Sequence, residues 1–229
     1  MTVTLVDTPE ALAATCARVA ASERIGIDTE FHTEKSYTPH LMVVQMLFDD
    51  GVALIDPLAL RDLRPLVDAL AGARVVGHAL SSDLRILADA FETLPHAVFD
   101  TQVAAAFVGY GLSISLLDLV RDLCGVTLRK SQTVSDWSTR PFTPKQVDYL
   151  VDDVRYLFVL EDRLREKLRA RGREDWADQE MRTLSELSTY RADADGRPGR
   201  KRRCPRSSTC TRTARIRAGC TCACQGTRG

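Results

Sequence analysis

The sequence predicts an α/β fold, a mixed β-sheet covered by helices, and three observations carry that prediction. Three β-rich segments, Ile25 to Phe31, Leu41 to Phe48 and Val52 to Ile55, follow one another at the spacing of an antiparallel meander. Short strands then alternate with helical segments, which puts helices on the faces of the sheet. Apolar residues make up 45% of the 229, enough to fill a core.

The first helix is expected from about Pro9 to Ser22. Thr8-Pro9-Glu10 supplies a capping hydroxyl, a proline at the first helical position and an acid in the first turn. Ile25-Gly26-Ile27-Asp28-Thr29-Glu30-Phe31 alternates in period two and reads as a strand, and Asp49-Asp50-Gly51 is a hairpin turn between the next two. Arg61 to Ala71 reads as a helix, Arg74-Val75-Val76 as a short strand and Ser82 to Phe91 as a helix, with Asp100 capping another that runs to Val108. Thr143 to Arg171 reads as one long helical region with a Thr-Pro start, and Glu174 to Tyr190 as a final helix. There is no internal repeat.

The zero net charge hides a division of the chain. Residues 1 to 190 hold 20 basic and 29 acidic side chains, whereas from Arg191 onward there are 11 basic residues against Asp193 and Asp195. That tail has one large aliphatic residue, Ile216, and no aromatic one. It cannot bury enough apolar surface to offset an ordering entropy of ~1 to 2 kcal/mol per residue, so it is expected to stay disordered unless something binds it. The expected organisation is therefore a domain over 1–175, a terminal helix or linker over 176–190, and an Arg/Cys-rich tail over 191–229. The tail also carries Cys204, Cys210, Cys220, Cys222 and Cys224, whose spacing matches no paired zinc arrangement. A basic RNA-binding tail is one reading of its composition, and the product of a shifted reading frame in a GC-rich gene is the preferred one. No run approaches the ~18 apolar residues of a membrane helix, and the start lacks a secretory pattern, so a soluble cytoplasmic protein is expected. Cys16 and Cys124 fit buried thiols of a reducing compartment.

Four carboxylates stand out by position. Asp28 and Glu30 are two apart on a core strand and share a face. Asp83 opens a helix after Gly77-His78-Ala79-Leu80-Ser81-Ser82, and Tyr149 and Asp153 share a helix face four residues apart. Brought together, they would form an oxygen-rich cluster of the kind that holds two hard divalent cations, Mg or Mn.

These residues, with Gln45, Leu54-Ile55-Asp56-Pro57, Phe99-Asp100-Thr101-Gln102, Gly125-Val126-Thr127-Leu128, Lys130-Ser131, Asp136-Trp137 and Arg140-Pro141, resemble the ribonuclease D family of 3′ to 5′ exonucleases over about residues 1 to 175. The third motif is of the tyrosine type. The resemblance implies the ribonuclease H-like exonuclease fold, and a two-cation site held by Asp28, Glu30, Asp83 and Asp153 in which Tyr149 orients the attacking water. It also implies release of nucleoside 5′-monophosphates from RNA with a single-stranded 3′ end, such as a tRNA precursor. A DNA exonuclease of the same chemistry, or a catalytically silent RNA-binding scaffold, are the alternatives. Family members commonly continue into helical nucleic-acid-binding domains, where this chain has its basic tail.

Thr29, Phe31, Gln45, His78 and Lys130 are the candidate substrate contacts. Phe31 could stack on the terminal base or pack in the core, and Gln45 could bond the nucleotide or pair within its sheet. His78 could touch a phosphate or serve structure alone. Lys130, with Arg129, could grip backbone phosphates or form a solvated pair. Trp137 reads as a packing anchor, and Asp152 as a surface residue pointing about 100° away from Asp153.

Overall fold

The computed structural model describes residues 1–32, 40–128 and 136–190. Among them β1 (Thr2–Val6), β2 (Ile25–His32), β3 (His40–Phe48), β4 (Gly51–Ile55), β5 (Arg74–Gly77) and β6 (Ala97–Asp100) form one sheet in the order β1-β4-β3-β2-β5-β6. The expected meander is its centre: β2, β3 and β4 pair antiparallel, while β1, β5 and β6 join in parallel. Asp28 stands opposite Gln45, and Gln45 opposite Leu54. A bulge follows Glu30, which pairs with Val43 while Phe31 pairs with Leu41, so β3 skips Met42.

The helices are α1 (Pro9–Ala21), α2 (Arg64–Ala71), α3 (Ser81–Phe91), α4 (Thr101–Phe107), α5 (Leu116–Cys124), α6 (Pro144–Asp152), α7 (Leu157–Ala170) and α8 (Glu174–Leu184). They cover both faces of the sheet. Ile25, Ile27, Met46 and Ile55 pack with Leu12, Leu66, Leu70 and Leu84 from α1 to α3. On the other face Leu47, Leu54 and Phe99 pack with Leu119, Leu150, Leu157, Leu160 and Met181 from α5 to α8. Each fully buried side chain of this size contributes about 1.5 to 3 kcal/mol, so the two cores dominate the stability. Glu161 of α7 is fully buried, and Arg24, Arg74 and Arg165 all pair with it. This pins α7 to the start of β2 and of β5.

Three expectations need correction. The region from Thr143 to Arg171 is two helices, because the chain turns over Asp153 to Tyr156. The last helix stops at Leu184, and a further short helical turn brings Tyr190 back into the core. β1, β6 and α5 join the elements read from the sequence. No helix among the described residues is long and apolar enough to cross a membrane.

Candidate active site

The acids meet where β2 outruns its neighbour. Only Ile25 and Gly26 pair with β5, so from Ile27 onward that edge of β2 is open and α3 begins beside it. The turn into α3 is tight. Ala79 has a φ of 58°, and a Cβ on Gly77 would lie 2.3 Å from Leu80 Cδ2 and 2.9 Å from the Ile27 carbonyl oxygen. Only glycine fits at that position. The buried Asp100 carboxylate fixes the turn by accepting from the N–H groups of Ala79 at 3.0 Å and Leu80 at 2.8 Å, besides capping α4 through Gln102 at 2.8 Å. Asp83 is thereby buried at the open edge of β2, where Thr29 Oγ1 donates to its carboxylate.

Asp153 arrives from the other side. It caps the C-terminus of α6, with its N–H bonded to the Tyr149 carbonyl at 3.1 Å, just where the chain turns into α7. A Cβ on Gly26 would meet Leu47 Cβ at 2.7 Å and Leu157 Cδ1 at 3.2 Å. The bare glycine lets the start of α7 settle on β2 two residues before Asp28. Asp28, Glu30 and Asp153 then present carboxylate oxygens that all lie within 4.8 Å of one another.

Such a concentration of like charge is costly. Burial first, then the charges of Asp83, Asp153 and Glu30, raise the Asp28 carboxyl well above its ordinary range. Burial raises Glu30 to about 7, against a hydrogen bond from Trp137, and Asp83 to about 6, against the bond from Thr29. Asp153 rises to about 8 through burial and the charges of Glu30 and Asp152. Its Oδ2 is buried without a hydrogen-bond partner. An orphaned oxygen inside an all-carboxylate donor set fits a hard divalent cation, which would satisfy the one and neutralise the other. Tyr149 packs its ring 5.7 Å from that of Trp137, and burial with the charges of Asp153, Glu30 and Asp28 pushes its hydroxyl above the ordinary range. At neutral pH it is a hydrogen-bond donor.

The predicted metal ligands and tyrosine therefore lie around one point, with Asp83 on the Thr29 side of the three-carboxylate cluster. The candidate substrate contacts divide. Thr29 uses its hydroxyl on Asp83. His78 engages Thr101 Oγ1 at 2.9 Å and the Ile114 carbonyl at 3.0 Å, which occupies both ring nitrogens and favours its structural alternative. Gln45 is 0% exposed, out of reach of a nucleotide, and both atoms of its amide are without a partner. Phe31 is half-buried and lies, by strand alternation, opposite Asp28 and Glu30, on the face of β2 where Thr29 holds Asp83. Lys130 and Arg129 lie outside the described residues, as do the cysteines and arginines of the tail. Asp152 pairs with Arg155 at 3.2 Å, and its charge acts on Asp153, so it is less detached than a surface residue. The action of Trp137 on Glu30 was not apparent from the sequence, where only the Asp136-Trp137 pair marked the position.

The 3′-5′ exonuclease family model matches residues 3–169. A ribonuclease D of Sphingobium indicum is 41% identical over 190 residues, 81% of this chain and 49% of the relative. The solved Escherichia coli RNase D superposes with a TM-score of 0.76 at 35% identity, covering 83% of this chain and 51% of that one. The chain thus spans about half the length of these relatives. Brucella melitensis NrnC superposes with a TM-score of 0.73 at 27% identity, covering 86% of this chain and 95% of that one, and has also been solved bound to pGG and with bound Mg2+.

Proposed function

The chain belongs to the 3′-5′ exonuclease family, in its ribonuclease D branch, and on that premise we propose that it is a divalent-metal-dependent 3′ to 5′ exoribonuclease releasing nucleoside 5′-monophosphates. The observation that carries this reading is the convergence of Asp28, Glu30 and Asp153 within 4.8 Å, with Asp83 beside them. These four residues would hold two Mg2+ or Mn2+ ions. Bound there, such ions supply a hydroxide at neutral pH and neutralise the departing 3′ oxygen.

The chain's own groups do the rest. Asp28, Glu30 and Asp153 define the face on which the scissile phosphate must sit, because only a neutralised cluster can accept a further anion. Tyr149, kept protonated by its surroundings and hydrogen-bonded to the Asp153 carboxylate, orients the attacking water through its hydroxyl oxygen and cannot itself act as the base. Thr29 holds Asp83 from the far side of β2 through its hydroxyl, and the backbone N–H groups of Thr29 and Asp83 add to that hold.

RNA with a single-stranded 3′ end is the substrate we assign, tRNA precursors among them, in the cytoplasm. A second reading, short oligoribonucleotides, is favoured by one observation: the match to NrnC, seen with pGG, covers nearly all of that protein. Digestion of 5′-labelled RNA and its DNA counterpart, each long and dinucleotide-sized, with Mg2+ or Mn2+ tests these readings. A ladder descending from the 3′ end of RNA supports the first, cleavage confined to the shortest RNAs the second, and equal cleavage of DNA rejects ribose selectivity. No cleavage of any of them would leave the silent scaffold.

A further inference from the structure

Trp137 is 4% exposed and tied on three sides. Its backbone N–H donates to His32 Nε2 at 3.3 Å, and His32 follows Glu30 by two residues on β2, on the same face. Its ring lies against Tyr149 of α6. Its carbonyl accepts from Arg140 Nη1 at 2.6 Å.

Arg140 is itself clamped. Its guanidinium forks onto the buried Asp56, just past the end of β4, with Nε at 2.6 Å and Nη2 at 2.8 Å, the bidentate geometry that arginine favours. The same Nη2 donates to the Met42 carbonyl at 2.9 Å, the residue that β3 skips opposite Glu30 and Phe31. Its plane sits 3.9 Å over the Phe142 ring. Asp56 is held in turn by the Leu58 N–H at 2.9 Å, while its own N–H reaches the Val6 carbonyl at 2.9 Å. Gln146, the capping-box partner of Thr143 at the start of α6, donates to the Asp136 carbonyl at 3.2 Å. The segment from Asp136 to Thr143 thus joins β2, the bulge of β3, the end of β4 and the start of α6. Bulges beside functional sites re-aim neighbouring side chains, and this one is braced by a side chain 98 residues away in sequence.

We propose that Trp137, held by Arg140 on Asp56, is a positioning residue of the acidic cluster, fixing Glu30 on β2 and Tyr149 on α6 at the separation a divalent cation requires. The inference rests on the metal-dependent reading above. Glu30 and Tyr149 come from elements that share no backbone pairing, and Trp137 touches both. The indole also hydrogen-bonds the Glu30 carboxylate. Outer partners of metal ligands act in this way in general, by orienting the ligand and setting its basicity.

Mn2+ binding to the full chain, followed by electron paramagnetic resonance without substrate, tests this. Trp137→Phe keeps a ring against Tyr149 and removes the indole N–H; Asp56→Asn keeps size and releases Arg140. Each is expected to weaken Mn2+ binding ~10- to 100-fold. Trp137→Phe should leave KM for RNA near the wild-type value while kcat at fixed Mn2+ falls. The double variant should lose no more affinity than the worse single one, because both act along one path. Trp137→Phe that binds Mn2+ as tightly as wild type would overturn the proposal, as would additive losses in the double variant. A wild-type chain that bound no Mn2+ would overturn the metal reading itself and this inference with it; wild-type binding that vanishes in Asp28→Asn upholds that reading whatever Trp137→Phe does.

Discussion

The Thr29 hydroxyl donates to the Asp83 carboxylate across the open edge of β2. Thr29 stands between Asp28 and Glu30 but points to the other face of the strand, so Asp83 reaches the cluster around the edge that β5 leaves uncovered. One side-chain bond therefore couples the helix that carries the fourth acid to the strand that carries the first two.

Thr29→Val preserves the β-branched shape and removes that donor. A hydrogen bond to a charged group contributes about 1.5 to 3 kcal/mol, so Mn2+ affinity should fall by roughly tenfold or more. Thr29→Ser should stay near wild type. Calorimetric titration of Mn2+ checks this, and a valine variant with wild-type affinity would show that Asp83 is placed by its helix alone.

Asp28→Asn should abolish metal-dependent hydrolysis, because it removes one charged ligand from the three-carboxylate cluster. It should at the same time raise the melting temperature of the cation-free protein, since a carboxylate opposed by Asp83, Asp153 and Glu30 is replaced by a neutral group of equal size. Asp148→Asn, an exposed residue on α6, is the control and should change neither. A melting temperature lowered by Asp28→Asn would mean that its charge is satisfied within the protein.

Much of this site was legible in the sequence because its geometry is local. Two acids two apart on a strand, or a tyrosine and an acid four apart on a helix, share a face by the period of the element alone. Asp100 and Thr143 announced helix starts for the same reason. The rest depends on what meets across the fold. The turn at Asp153 was hidden because Leu150, Val151, Val154, Leu157 and Phe158 keep helical spacing through it, with no glycine or proline to mark it. β1 does carry a readable signal, the alternating β-rich run Thr2-Val3-Thr4-Leu5, although four of its five residues are exposed. The Asp56–Arg140 clamp joins residues 84 apart, and Glu161 looks like any charged position of a surface helix until three arginines surround it.

The raised carboxyls make stability depend on pH in a direction opposite to the usual one for acids. Glu30 at about 7 and Asp153 at about 8 lie above the ~4 of an unfolded chain, so the native cation-free protein binds more protons than the unfolded one across that window. Their contribution is fully present below the unfolded value and is lost as pH rises through 7 and 8. With chelator present, the melting temperature should therefore fall between pH 6.5 and 8.5. The rise on adding Mg2+ should be larger at pH 8.5 than at pH 6.5, since fewer protons compete for the same oxygens. Equal Mg2+ shifts at both values would contradict the assignment of these acids as ligands.

Tyr149→Phe removes a hydroxyl that is held protonated among acids and leaves the ring that packs on Trp137. RNA binding should persist, while the single-turnover rate falls by ~10²-fold or more, the usual loss for a positioned proton donor. Unchanged single-turnover rates would make Tyr149 a packing residue only.

The two ends proposed for the catalytic unit should behave differently when the chain is cut. Ala177 and Met181 of α8 are buried against the face that carries Leu160 and Leu164, and Tyr190 is buried against the opposite core with its hydroxyl bonded to the Leu184 carbonyl at 3.0 Å. A chain ending at Asp175 strips all three away, exposing both cores, and truncations of this kind cost several kcal/mol in a domain whose total stability is about 5 to 15. It should melt far below the full chain or fail to fold. A chain ending at Tyr190 keeps those contacts and loses nine net positive charges, so it should fold and cleave short RNA at the full-chain rate. On long RNA the same cut should weaken binding and flatten its salt dependence by ~0.7 in logarithmic slope for each phosphate the lost arginines neutralised. Circular dichroism melting and binding at several salt concentrations separate these outcomes: equal salt slopes for the full and the 190-residue chains would remove the tail from RNA binding, and full stability of the 175-residue chain would show that α8 is not part of the catalytic fold.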